Sequence, residues 1–133
     1  MNPRYEAVAA RAAHRCEYCH APEAAFNLAH EVEHILPVAR GGANDMDNLA
    51  LACRACNVFK ADHQTGPDPQ TPTPVRLFPP RQDRWAEHFY VDQETGTVQG
   101  RTLFGRATVA RLQMNTAFQR GARLLWLRFG LFP

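Results

Sequence analysis

Apolar and polar positions along this chain fall into short patterns separated by turn signals. Tyr5 to Arg15 is alanine-rich, with Pro3 near the first turn where a missing N–H costs little, and reads as a helix. Phe26 to Leu36 reads as a strand of poor alternation: His30, Val32, His34 and Leu36 share one face, and Ala29, Glu31, Glu33 and Ile35 the other. Polar residues on both faces mark a site rather than a plain core strand. Pro37 ends the strand, and Gly41-Gly42 followed by Asn44-Asp45 marks a loop with special backbone angles. Asn48 to Ala52 predicts the returning strand and Arg54 to about His63 a helix, with Gly66 as a stop. Asn57 and Lys60 share a face of that helix. Pro67 to Pro80 holds six of the ten prolines and reads as a stiff, polyproline-like connector. Beyond it, His88 to Asp92 and Thr97 to Arg101, joined by Gln93-Glu94-Thr95-Gly96, predict a β-hairpin, and Gly105 to Met114 and Thr116 to Phe129 two helices.

At 133 residues the chain is long enough to bury a real core. Its longest apolar run, Leu124 to Phe132, is broken by Arg128 and falls far short of the roughly 20 residues a membrane span needs. The first residues lack the apolar core of a signal peptide, so no membrane partner and a cytoplasmic location are expected. In that compartment cysteines stay reduced, and CxxC pairs read as metal ligands. The net charge of +2 is unevenly placed: residues 101–133 hold six arginines and no acid, enough to engage several phosphates. Fourteen of the fifteen basic residues are arginine, which a genome-wide codon preference would explain equally well. The single lysine is Lys60.

All four cysteines lie in two knuckles, Cys16-Glu17-Tyr18-Cys19 and Cys53-Arg54-Ala55-Cys56. Two such turns supply the four thiolates of a tetrahedral Zn²⁺ site, with Zn–S near 2.3 Å. If both clasp one ion, the residues between must leave and return, which puts Glu33, His34 and Asn48 on a hairpin pinned to the helix beginning near Cys53. Cys16-Glu17-Tyr18-Cys19-His20 is also a CxxCH, the attachment signature of c-type haem. That reading requires export and leaves the second knuckle unexplained.

The run EHILPVARGGANDMDNLALACRACNVFK resembles the motif of the HNH endonucleases, a ββα-metal finger, in the subtype with a zinc-bound CxxC pair on each side. The resemblance covers roughly Cys16 to Asp62, and PPRQDRWAEHF with GRATVARLQMN is similar to the tail of many bacterial HNH proteins. It implies an α+β fold with a treble-clef-like finger, divided as 1–66 (nuclease finger), 67–80 (connector) and 81–133 (basic extension of hairpin and helices). By resemblance, His34 is the general base and Asn48 holds the loop that orients it. Cys16, Cys19, Cys53 and Cys56 bind a structural zinc, and Glu33 and Asn57 bind one catalytic Mg²⁺ or Mn²⁺. The family's usual residue before the histidine is aspartate, here Glu33, and its last motif position is Asn57 in place of histidine, an HNN variant; both keep oxygen donors, which suit a hard ion. The substrate implied is DNA, cut at the P–O3′ bond to leave a 5′-phosphate, with Lys60, Arg54 and Arg40 as candidate phosphate contacts. Pairing of two copies as a homodimer is compatible with the motif.

An ideal strand sends Glu33 and His34 to opposite faces, so the backbone must twist there if both are to serve one pocket. His30, four residues before His34 on the same face, is a further candidate for the groove. The competing function is a four-cysteine zinc-finger module that holds nucleic acid or a partner protein without cutting. Such a binder has no use for Glu33, His34 and Asn57 together.

Overall fold

Two four-residue strands form the hairpin at the front of the molecule, which is seen here in a computed structural model that describes residues 1–132. β1 (Glu31–His34) and β2 (Leu49–Ala52) pair antiparallel in the register Glu31↔Ala52, Val32↔Leu51, Glu33↔Ala50 and His34↔Leu49. Side chains alternate across a strand, so β2, buried along its whole length, sends its leucines to one face and its alanines to the other. Leu49 and Leu51 meet Val8 and Ala9 of helix α1 (Tyr5–Arg11), whereas Ala50 and Ala52 join the cysteines. Helix α2 (Arg54–Lys60) follows β2 after one residue and crosses the alanine face, where Asn57 and Lys60 meet Glu31 and Glu33. Strand, return strand and helix are the ββα unit the spacing predicts.

The ends of these elements differ from the expected ones for local reasons. β1 is shorter than Phe26 to Leu36 because the chain before it is tied to the turn at Glu23–Ala25: the His30 N–H donates to Glu23 Oε2 at 2.7 Å. Glu23 also accepts the Tyr5 hydroxyl at 2.7 Å and pairs with the His14 ring at 2.8 Å, which fastens α1 to this turn. α1 stops at Arg11, and Ala13 and His14 at φ 52° and 55° swing the chain into the first knuckle. α2 stops at Lys60, where Ala61 at φ 47° breaks the helical path.

Residues 67–80 form a strap. β3 (Thr65–Gly66) pairs with β4 (Val75–Arg76), and Val75, Leu77 and Phe78 are buried although Pro67, Pro69, Pro72 and Pro74 before them are exposed. The strap crosses helix α4 (Leu103–Arg111): the Phe78 N–H donates to Thr108 Oγ1 at 2.8 Å, and Asp68 accepts from Arg106 Nε at 2.9 Å and Nη2 at 3.1 Å. A free spacer would make none of these bonds.

After a short helix, α3 (Trp85–His88), come the second hairpin, β5 (Phe89–Asp92) and β6 (Thr97–Gly100), then α4 and α5 (Ala117–Arg128). α5 starts at a capping box in which Thr116 and Gln119 satisfy each other's backbone. Phe89, Val98, Leu112 and Met114 from this half share one apolar cluster with Tyr18 and the four cysteines. Trp85 Nε1 also donates to the Tyr18 carbonyl at 2.8 Å. The stretches 1–66, 67–80 and 81–133 therefore contribute to a common core. No helix of the described residues is long and apolar enough to cross a membrane.

Candidate functional site

The knuckles are shaped by their own backbones. Cys16 Sγ accepts the Cys19 N–H, and Cys53 Sγ the Cys56 N–H, each at 3.5 Å, the second serving as the N-cap of α2. This local closure brings all four buried sulfurs within 4.8 Å of one another, with Cys19 and Cys53 at 3.7 Å. A tetrahedron of thiolates about 2.3 Å from one ion has sulfur edges of about 3.8 Å. The donor set and its spacing thus fit a soft or borderline metal ion. His20, which completes the CxxCH, lies against Trp85 with ring centroids 4.0 Å apart, and burial pushes its imidazole down to about 4.

Val32, Glu33 and His34 of β1 line a cleft of about 290 Å³ with Pro37, Val38, Asn57 and Ala61. The loop between the strands is closed by Asn48. Its Nδ2 donates to the carbonyls of Leu36 at 2.9 Å and Ala43 at 2.7 Å, and its Oδ1 accepts the Leu36 N–H at 2.9 Å. Gly42 is required at this closure, because a Cβ there would collide with the Leu36 carbonyl; Gly41, at φ 92°, makes the turn into it. The same loop delivers Asn44 to His34, with Nε2 and Oδ1 3.0 Å apart. An amide oxygen accepts, so Nε2 carries the proton and the Nδ1 lone pair is left free.

β1 keeps its alternation, and Glu33 and His34 diverge. Glu33 is 6% exposed; one carboxylate oxygen accepts the Tyr18 hydroxyl and the other the Lys60 ammonium at 3.0 Å. Burial pushes its carboxyl up, against the opposing pull of Lys60 and Tyr18, and burial with the Glu33 charge pushes the Tyr18 hydroxyl well up. Asn57, expected beside Glu33 at a catalytic ion, donates from Nδ2 to Glu31 Oε1 at 2.7 Å. The same carboxylate meets Arg54 Nη1 at 3.1 Å. Glu31 was visible as the other carboxylate of Glu-Val-Glu, two residues from Glu33 on the same face. Asn44 looked only like a turn residue.

Of the basic residues expected at phosphate, Lys60 is 2% exposed and serves the interior. Arg54 and Arg40 stay exposed, Arg40 lying 3.5 Å from Asp62. His30 is buried, its Nε2 3.0 Å from the Ala21 carbonyl. Two of the six C-terminal arginines are also consumed internally: Arg106 by Asp68, and Arg123, 1% exposed, by the carbonyls of Gly96 and Met114.

Neither a curated protein nor a solved structure matches the chain. The family model described as HNH endonuclease matches residues 16–63, the segment that holds the ββα unit and the four-cysteine cluster, and that cluster is consistent with the subtype whose finger is clasped by a metal ion.

Proposed function

We propose that the protein is a metal-dependent endonuclease that hydrolyses phosphodiester bonds of DNA, with His34 as the general base. The observation that carries this reading is the cleft position of His34, whose Nε2 is held by Asn44 so that Nδ1 can accept a proton. Nδ1 takes a proton from water as the water oxygen attacks phosphorus, and the P–O3′ bond breaks to leave a 5′-phosphate. Asn48 keeps the loop that carries Asn44 closed on β1. Asn57 and Glu31, already in contact, are the oxygen ligands we assign to a Mg²⁺ or Mn²⁺, since Glu33 is engaged by Tyr18 and Lys60. Such an ion, when bound, offsets charge on the phosphate and on the leaving 3′ oxygen. Arg54, paired with Glu31, and Arg40, paired with Asp62, are exposed and are assigned to phosphate. Cys16, Cys19, Cys53 and Cys56 are assigned one structural Zn²⁺.

The test is cleavage of supercoiled plasmid with Mg²⁺ or Mn²⁺, with and without chelator, alongside native mass spectrometry for zinc. His34→Ala should lower the rate by about 10² to 10⁴ while zinc content and DNA affinity hold. Near-wild-type nicking by His34→Ala would overturn the base assignment. A wild-type protein that binds DNA but cuts with neither ion would be the four-cysteine binding module instead.

A further inference from the structure

The sole lysine of the chain is inside it. Lys60, at the end of α2, meets Glu33 Oε2 at 3.0 Å, the His34 carbonyl at 3.3 Å and the Ile35 carbonyl at 3.0 Å. An ammonium has three N–H donors, so all are used. Two of the acceptors are main-chain carbonyls at His34 and the residue after it. From the opposite direction, Asn48 holds the same stretch by its N–H groups: its carbonyl accepts from Ile35 and its Oδ1 from Leu36, each at 2.9 Å. Glu33, which fixes the Lys60 ammonium, is fixed in turn by the hydroxyl of Tyr18, and Tyr18 stands between the cysteines of the first knuckle. A path of hydrogen bonds therefore runs from Tyr18, whose backbone lies between the two cysteines of the first knuckle, to the backbone that carries His34.

We infer that Lys60 is a positioning residue for His34, held through Glu33 by Tyr18, so that closing the cysteine clasp also aligns the base. This rests on the reading of His34 as the base. The rival role for Lys60 is charge compensation alone: a buried carboxylate needs a cation, and Lys60 supplies it. The two roles separate when both charges are removed together. A neutral replacement of the pair satisfies charge compensation but leaves the His34 and Ile35 carbonyls without their donor. A base displaced by about 1 Å loses on the order of 10² in rate, with little effect on binding.

The experiment compares wild type with the double variant Lys60→Met/Glu33→Gln, which keeps stem length and an acceptor for Tyr18. It reads kcat and KM on plasmid, zinc content, magnesium dependence and the His34 ring signals by NMR. The expected result is wild-type zinc content and magnesium dependence, KM within about twofold and kcat lower by about 10², with shifted His34 ring signals. A double variant with wild-type kcat and unshifted ring signals overturns the inference. Should that variant fail to fold, Tyr18→Phe removes one oxygen and no charge. It is expected to lower kcat by about tenfold at unchanged KM and to shift the His34 signals; unchanged kcat and signals overturn the inference. If wild type cuts no DNA, the proposed function fails by itself, and the ring signals decide the anchoring: a shift supports it and no shift overturns it.

Discussion

A histidine serves as a base only from the nitrogen that lacks a proton, and in the proposed reaction Asn44 makes that choice for His34. Replacing Asn44 by alanine frees the ring to populate the other tautomer and to rotate, so single-turnover cleavage should slow by roughly tenfold to a hundredfold. Nitrogen NMR of the His34 ring should show mixed tautomers in the variant and one in the wild type; a single Nε2–H form in Asn44→Ala would remove Asn44 from this role. The places of His34 on β1, Asn48 at the closure of the loop and Asn57 on α2 were legible because a family motif fixes their spacing. The destination of Glu33 was only half legible. Strand alternation already separated it from His34, but nothing in the string of residues says that a lysine from the next helix and a tyrosine from the knuckle will take both its oxygens. Asn44 was illegible for a related reason: its partner lies ten residues away across a loop whose shape depends on Gly42 fitting under the Leu36 carbonyl.

At the level of elements, the expected strands and helices appear where the hydrophobic pattern puts them with their ends moved, while the short α3 and the β3–β4 pair have no counterpart in the pattern. The ends of α1, β1 and α2 are set by bonds to Glu23 and by left-handed residues at Ala13, His14 and Ala61, which are decided by tertiary context. The proline-rich stretch is where pattern misled, since its composition suggests a spacer although Val75, Leu77 and Phe78 are core residues. Its anchor is Asp68. The Arg106 guanidinium, then the Thr71 hydroxyl, hold the Asp68 carboxyl well below the usual carboxylate range. A carboxyl depressed in the folded state stabilises above its unfolded pKa of about 3.9, and that stabilisation is lost as the pH falls toward the folded value. Asp68→Asn should therefore lower the melting temperature at pH 5 to 7, and the gap from wild type should close as the pH drops below about 4. Melting curves by circular dichroism across pH give the answer, and a gap independent of pH would mean that the pair does not titrate as the geometry implies.

Across the whole molecule, the shared core changes how the basic C-terminal half must be tested. Leu112 and Met114 sit in the cluster of the four cysteines, so truncation at residue 100 would strip the clasp of its neighbours and confuse loss of fold with loss of DNA binding. Charge-neutralising substitutions avoid this. Arg101, Arg120 and Arg128 are exposed, while Arg106 and Arg123 are spoken for. Changing the first three to glutamine should reduce the slope of log affinity against log salt by about 0.9 for each phosphate that is no longer neutralised. Arg106→Gln and Arg123→Gln should leave the slope alone and lower thermal stability instead, because each strands buried acceptors. Fluorescence anisotropy on a labelled duplex at several salt concentrations measures the slope, and thermal melts the stability; an unchanged slope in the triple variant would assign those three arginines to solvent.

The placement of Lys60 has one consequence of a different kind. Since this is the only side-chain amine and it is sealed beneath α2, the folded protein offers acylating reagents no ε-amino group. Modification at Lys60 must wait until α2 lifts from the hairpin, so its rate reports the frequency of that opening rather than surface reactivity. Peptide mapping after timed acetylation then becomes a clock for the finger, one expected to run about tenfold faster or more once a chelator has stripped the cysteines. Rapid acetylation of the metal-loaded protein would show that the helix opens on its own.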